Sequence, residues 1–460
     1  MQTPGQLKFN SFREKFPFLS YEGFYSKVQV DGILVEYHFN LSDTHIFRPK
    51  FHFPVKSNLK KKLDEKFITS SLFQNLLFHI GMIELISYWK AACPEVIKVK
   101  GVSLDKGQVK WWKNVYYQGL GEFFFTNGIK VSMEDFLTIE SEGKNHESSG
   151  IELSDCILVP IGGGKDSVVT LELLRNDYEV RPFILNPRGA SVETCNKAGF
   201  SNLQIAEVNR SIDPLLLKLN SEGFLNGHTP FSALLAFYTL LVASIYGCRH
   251  IALSNESSAN EPTVAGTEVN HQYSKSYSFE KDFREYVAKY ISADFNYFSF
   301  LRPLSELQIA MLFSRQVRYY PVFKSCNVGS KTDVWCGHCP KCLFAWIILS
   351  PFIPLNELIQ IFGKNLYEDA GMIGYLKELT GMDAVKPFEC VGTIEEVNAA
   401  LQMFIQEHAK EKWPLLIDYY SNTSNFNQYH PVQSYQLLHE INGQHFLGQR
   451  FLDIIKSAIS

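Results

Sequence analysis

Polar and apolar residues alternate along Val28-Gln29-Val30-Asp31-Gly32-Ile33-Leu34-Val35-Glu36-Tyr37-His38-Phe39. A period of two predicts paired strands with one face buried, and Asp31-Gly32 is a hairpin-turn pair. The rhythm becomes helical from Ser70 to Ala91, and the aromatic-rich stretch from Trp111 to Phe125 predicts a return to strand. Residues 140–154 are rich in Glu, Ser, Gly and Asn and read as a linker.

From Asp155 short apolar runs alternate with helical patterns. Cys156–Pro160, Val180–Asn186, Leu203–Val208 and His250–Ser254 read as strands, with helices over Ser167–Arg175 and Ser191–Ala198. Such alternation predicts an α/β fold, a doubly wound parallel sheet covered on both faces, with ligands at the carboxyl ends of its strands. Residues beyond about 355 read as mostly helical. The chain divides on this basis into an α+β N-terminal module (1–140), a catalytic domain (155–350) and a helical C-terminal region (351–460).

Thr229 to Cys248 carries no charged residue and is long enough to cross a bilayer. Its Pro230, its recurrent Ser, Thr and Tyr, and the Arg249-His250 that follows predict a buried core helix instead. With no apolar leader in Met1–Phe16, the expectation is a cytoplasmic protein without membrane insertion. A net charge of −4 gives no electrostatic reason to expect a nucleic-acid partner.

The segment Ile161-Gly162-Gly163-Gly164-Lys165-Asp166-Ser167 sits between a strand and a helix. Glycines let the backbone approach an oxyanion, the helix N-terminus aims N–H groups at it, and Lys165 adds charge. The segment is not a Walker A loop: Asp166 separates Lys165 from Ser167, and Val159 holds the earlier glycine position.

Nine cysteines in such a chain read as thiols or metal ligands, not a disulfide framework. Cys93, Cys156, Cys195, Cys248 and Cys390 are scattered and carry no assigned role. Cys326, Cys336, Cys339 and Cys342 form C-x9-C-x2-C-x2-C, a spacing that converges four thiolates on one tetrahedral Zn²⁺ of structural type, with His338 a weaker ligand candidate. Lys324 and Lys341 flank the cluster and read as solvated.

The glycine segment resembles the Ser-Gly-Gly-x-Asp-Ser signature of the PP-loop (HUP-like) ATP pyrophosphatases, with Gly162 in place of the first serine. That resemblance implies α–β cleavage of ATP. Gly162, Gly163, Gly164, Asp166 and Ser167 would hold the phosphates, Asp166 would stand near Mg²⁺, and Lys165 occupies the family's variable position. Leu185 and Asn186 would read adenine, and Arg302 of Arg302-Pro303-Leu304 would supply a further phosphate contact. The cysteine spacing is similar to the zinc knob of PP-loop enzymes that make cyano-deazaguanine.

Two polar tracts, 253–261 and 270–276, complete the pattern. With the glycine segment and Cys336-Gly-His-Cys-Pro-Lys-Cys342, they resemble the bacterial UDP-MurNAc-L-Ala-L-Glu epimerases of the MurL type. That resemblance implies UDP-MurNAc-L-Ala-L-Glu as substrate, its terminal glutamate activated as an acyl-adenylate, deprotonated, reprotonated and released with AMP and diphosphate. Glu256, Glu261, His271 and Lys275 are the acid–base candidates, and the sequence does not rank them. Trp111, Trp112, Tyr116 and Tyr117 could bind the UDP-sugar end or belong to the core. Two other readings stay open: a PP-loop enzyme adenylating a nucleobase or tRNA, and a non-catalytic nucleotide-binding protein.

Overall fold

The computed structural model describes residues 2–56, 63, 65–261, 263, 270–409, 412–429 and 431–460. Its strands are β1 (Phe18–Val28), β2 (Gly32–Leu41), β3 (His45–Phe47), β4 (Lys50–Pro54), β5 (Val96–Gly101), β6 (Thr138–Gly143), β7 (Ser154–Pro160), β8 (Val180–Leu185), β9 (Ala206–Ser211), β10 (Cys248–Leu253) and β11 (Asn296–Ser299). They form one sheet in the order β11-β10-β7-β8-β9-β4-β2-β1-β5-β6, with β3 paired to β2 off this path.

The five strands from β7 to β11 are all parallel. Their order reverses between β7 and β10, the switch point at which the crossover helices leave for opposite faces and open a crevice. The apolar run from Phe231 to Tyr246 is a helix buried against β10, ended by Gly247 in the left-handed conformation (φ 75°). Among the described residues no helix is long and apolar enough to cross a membrane.

Several expectations change. The first module is not separate: β4 pairs antiparallel with β9, Phe51 opposite Arg210, so the N-terminal strands extend the same sheet. Glu84, 1% exposed, binds Arg210 through two side-chain contacts, one at 2.7 Å, and accepts from the Tyr238 hydroxyl at 3.1 Å. A buried carboxylate needs this pairing, and the pairing ties helix Ser71–Trp89 to both β9 and the central helix.

The aromatic stretch predicted as strand is helical, over Lys106–Gly119 and Gly121–Asn127. Asp105 and Gln108 form a reciprocal capping box at 2.8 and 3.0 Å, and this local stop-and-start signal overrides the β preference of the aromatics. Trp112 and Tyr116 are fully buried, Trp112 donating to the Tyr286 hydroxyl at 3.0 Å. These rings are core, not a sugar-binding surface.

The hairpin turn is Val30-Asp31, closed by Gln29 N–H to Gly32 carbonyl at 2.6 Å. Gly32 starts β2 instead, where a Cβ would stand 2.3 Å from the Phe53 carbonyl oxygen. The supposed linker begins as β6, parallel to β5. Cys156 and Cys248 are joined as a disulfide across β7 and β10, Cα atoms 4.5 Å apart, so this pair departs from the thiol reading. Strand pairing brings together residues 92 apart in sequence.

One hydrophobic core fills the face shared by the N-terminal strands and helix Phe231–Tyr246. A second, on the other face, is built from helices Lys165–Leu174, Glu306–Ser314 and Pro340–Leu349, with the C-terminal helices packed over it.

Candidate active site

The glycine turn leaves β7 at the switch point. Gly163 has φ 86°, and a Cβ there would meet Ala190 at 2.8 Å, so both conformation and packing require glycine. Gly164 is the N-cap of helix Lys165–Leu174 and no side chain caps that terminus, which leaves the helix end open to an anion. Gly162 is exposed, and Ser167 donates to the Gly164 carbonyl at 3.0 Å.

A cavity of about 580 Å³ opens over this turn. Its lining includes Gly162, Gly164, Asp166, Ser167 and Leu185, together with Asn255, His271 and Lys275 from the two polar tracts. Two other surface clefts have volumes of about 560 and 570 Å³, so size does not single this one out; the chemistry of its walls does.

Lys165 does not line the cavity. Its ammonium turns inward and contacts both Asp166 and Glu306. Burial would raise the Asp166 carboxyl, but Lys165 outweighs it and holds the group below its ordinary value. Burial raises Glu306, which Lys165 offsets only in part. One ammonium therefore serves two carboxylates, and the charge is kept on Asp166, the member facing the cavity.

Arg302 is 0% exposed, donating to the Glu256 carbonyl at 2.6 Å and to the Lys275 carbonyl, with Glu280 at 3.4 Å. It fixes the backbone of both polar tracts and cannot reach a phosphate, which corrects that expectation. Asn186 turns its side chain to accept from Arg210 N–H at 2.6 Å and does not line the cavity, whereas Leu185 does. Glu256 is buried behind the lining, with the Ser258 hydroxyl at 3.3 Å, and Glu261 is ion-paired with Lys386.

The four cysteine sulfurs come together. Cys326–Cys339, Cys336–Cys342 and Cys339–Cys342 stand 3.8, 3.7 and 3.5 Å apart. A tetrahedral ion with metal–sulfur bonds of about 2.3 Å needs sulfur–sulfur edges of about 3.8 Å, so the set fits zinc. His338 is exposed, with Nδ1 on the Cys336 carbonyl oxygen at 2.7 Å, and does not join the set.

This knob also builds the cavity wall. Lys324 N–H donates to the Gly163 carbonyl at 2.8 Å, and Lys324, Ser325 and Lys341 line the cavity. The two lysines, read as solvated from the sequence, thus line the cavity beside the glycine turn.

The opposite chemistry gathers at His271. Its Nδ1 lies 2.5 Å from Glu122, a residue of the N-terminal region, and the His228 ring packs 4.4 Å away between centroids. Burial lowers His271, but Cys390 and Glu122 outweigh it and raise it to about 9. Burial and the neighbouring His271 lower His228 to about 4. Glu122, His228 and His271 offer ligand atoms within 4.8 Å of one another. The Glu122 carboxylate is hydrogen-bonded to His271 and stands 3.5 Å from His228.

Cys390 also lines the cavity, as do His271 and Lys275, and its charge is coupled to both. Burial would raise its thiol, but Lys275 and His271 bring it down to about 6. Sequence reading missed Glu122, Cys390 and the roles of Lys324 and Lys341. The signal for Cys390 was slight: a reactive side chain in the Pro387–Gly392 break between helices.

Two family models match the chain, the MurL N-terminal domain over residues 11–300 and the MurL C-terminal domain over residues 322–433. The UDP-N-acetyl-alpha-D-muramoyl-L-alanyl-L-glutamate epimerase of Xanthomonas oryzae pv. oryzae is 36% identical over 336 residues, 71% of this chain and 74% of the relative. Its counterpart in a Micromonospora species is 37% identical over 331 residues (70% and 73%). That of Salinispora tropica is 35% identical over 361 residues (77% of each). No solved structure matches. Matched by both models across most of its length, with glycine turn, polar tracts and cysteine knob gathered around one cavity, the chain belongs to the MurL epimerase family.

Proposed function

We propose that the protein inverts the terminal glutamate of UDP-MurNAc-L-Ala-L-Glu, using ATP to activate the glutamate α-carboxylate as an acyl-adenylate and releasing AMP and diphosphate. The relatives' names support the substrate and the inversion. One observation carries the ATP-dependent route: a single cavity has an anion-binding turn with Asp166 and two knob lysines on one wall, and thiol, imidazole and ammonium groups on another.

Activation answers a chemical difficulty. Removing a proton beside a free carboxylate creates adjacent negative charges, and converting the carboxylate to an acyl phosphate ester relieves this. The carboxylate oxygen attacks the α-phosphorus of ATP, the α–β bond breaks, and diphosphate leaves; after inversion, water adds to the acyl carbon, the acyl–oxygen bond to AMP breaks, and the free carboxylate and AMP are released. Gly162 to Ser167 hold the phosphates, and Lys324 and Lys341 balance their charge. The Asp166 carboxylate would hold Mg²⁺, which when bound neutralises the triphosphate and orients the displacement. Leu185 would contact the adenine. The four knob cysteines would hold Zn²⁺ with no open position, in a structural role that fixes Lys324 and Lys341.

Purified protein incubated in D₂O with ATP and UDP-MurNAc-L-Ala-L-Glu tests this. The expected result is AMP and diphosphate formed only with both substrates, and deuterium at the glutamate Cα of a D-configured product. Inversion without ATP would overturn the activation route, and ATP cleavage with no change at Cα would overturn the epimerisation.

A further inference from the structure

Within the cavity the acid–base candidates named from sequence divide in an informative way. Glu256 lies behind the wall and Glu261 is neutralised by Lys386. His271 and Lys275, which do line it, are both held as cations. A cation supplies protons and cannot remove one, so none of these four is the base, and His228, lowered to about 4, is a weak one.

The anionic groups on its walls are then few. Asp166 belongs to the phosphate turn, and Asp333 is occupied by the Ala190 N–H at 2.9 Å. Cys390 is the other. It is outside the four-sulfur knob set and outside the disulfide, and it is half-buried with its thiol at the cavity.

Its loop is anchored from several sides. The Lys386 N–H donates to the Thr263 carbonyl at 3.1 Å, and Lys386 Nζ donates to Gly392 at 2.9 Å. Asn327 of the knob holds Glu389, and Phe388 packs on Phe125 of the N-terminal region at 5.5 Å. A thiol on a pinned loop, between an imidazolium backed by Glu122 and an ammonium, is built as a thiolate.

We infer that the Cys390 thiolate is the base that removes the α-proton of the activated glutamate, and that the neighbouring Lys275 on the same wall is the acid that returns one after the planar enolate has turned its other face to them. This rests on the acyl-adenylate reading above. In the first step the Cα–H bond breaks, an S–H bond forms on Cys390, and the electron pair passes onto the acyl oxygen. In the second the enolate collapses, Cα takes a proton from the Lys275 ammonium, and configuration is inverted. The Cys390 thiol proton then passes to the neutral Lys275 amine and restores the starting pair. His271, held by Glu122, is a positioning residue that keeps Cys390 ionised.

The test uses full-length Cys390→Ser with two readouts. Substrate-dependent exchange of labelled diphosphate into ATP reports activation, and deuterium incorporation at the glutamate Cα in D₂O reports proton transfer. Cys390→Ser should lose deuterium incorporation by about 10²–10⁴-fold, the usual contribution of a general base, while diphosphate exchange stays within about threefold of wild type, where activation does not involve the thiol. Lys275→Gln should likewise retain exchange and lose the D-product. Deuterium incorporation by Cys390→Ser at the wild-type rate would overturn the assignment. Loss of both readouts in Cys390→Ser would also overturn it, assigning the cysteine to binding or folding. Absence of diphosphate exchange in the wild-type protein would instead sink the adenylate reading, and this inference with it.

Discussion

The two walls of the cavity are built in opposite ways. The wall we propose to hold phosphate is one contiguous turn, Gly162 to Ser167, closed over by a knob whose cysteines fall within 17 residues of sequence, 326 to 342. The wall we propose for proton transfer takes Glu122 from the N-terminal region, His228 from the approach to the central helix, His271 and Lys275 from one polar tract, and Cys390 from a loop of the C-terminal region. Binding a phosphate needs backbone N–H groups in series, which a local segment supplies by itself. Tuning a proton donor and acceptor needs charges and burial around each, and those come from wherever the chain folds back.

This contrast predicts different responses to damage. The largest effect is expected from Asp166→Ala, which should lower AMP release about a thousandfold or more and abolish deuterium incorporation too, because inversion follows activation. Circular dichroism should show an intact fold, and wild-type turnover would remove Asp166 from the mechanism.

Next comes the knob. Stripping zinc with a chelator, or Cys339→Ser, should lower the melting temperature and weaken ATP binding together, since Lys324 and Lys341 lose their support. Melting and ATP titration measured side by side would check this; an unchanged melting curve would dissociate the cysteines from any metal.

The proton-transfer wall should respond to pH where the phosphate wall does not. Cys390 is depressed to about 6 and His271 raised to about 9. The thiolate–imidazolium pair is therefore complete between those values, losing the thiolate below the first and the imidazolium above the second. Lys275, Lys341, Glu122, Glu389 and His228 are the charged or titratable groups around the pair. Deuterium incorporation should fall at both edges while diphosphate exchange stays flatter; parallel profiles would erase the distinction between the walls. For stability, the depressed Cys390 contributes above its unfolded value near 9, and that contribution is lost as pH falls through about 6.

The smallest effect is expected from Glu122→Gln. Losing the carboxylate behind His271 should reduce deuterium incorporation by about a hundredfold, at the low end of acid–base effects, and shift its alkaline edge downward as the imidazolium loses its partner. Diphosphate exchange should persist. A slower rate with an unmoved pH edge would mean that Glu122 acts on the fold and not on His271.

How much was legible follows the same division. The parallel strands, the glycine turn, the buried helix Phe231–Tyr246 and the convergence of four cysteines all depend on short-range spacing and appear directly in the sequence. Helix Lys106–Gly119 was misread because aromatic content pointed to strand while the decisive capping box at Asp105 and Gln108 was overlooked. Arg302 was misread because a charged residue before Pro-Leu gives no sign that it will be fully buried among carbonyls.

By itself the sequence determined a glycine turn between strand and helix of a parallel α/β sheet and a cluster of four cysteines, because each is set by residues a few positions apart. Tertiary structure alone decided that the N-terminal strands continue that sheet, that Lys165 faces inward to Glu306, and that Cys390 meets His271, Lys275 and, through His271, Glu122. The physical reason is that a side chain's charge state is a property of its surroundings, and here those surroundings are assembled from segments more than 200 residues apart in the chain.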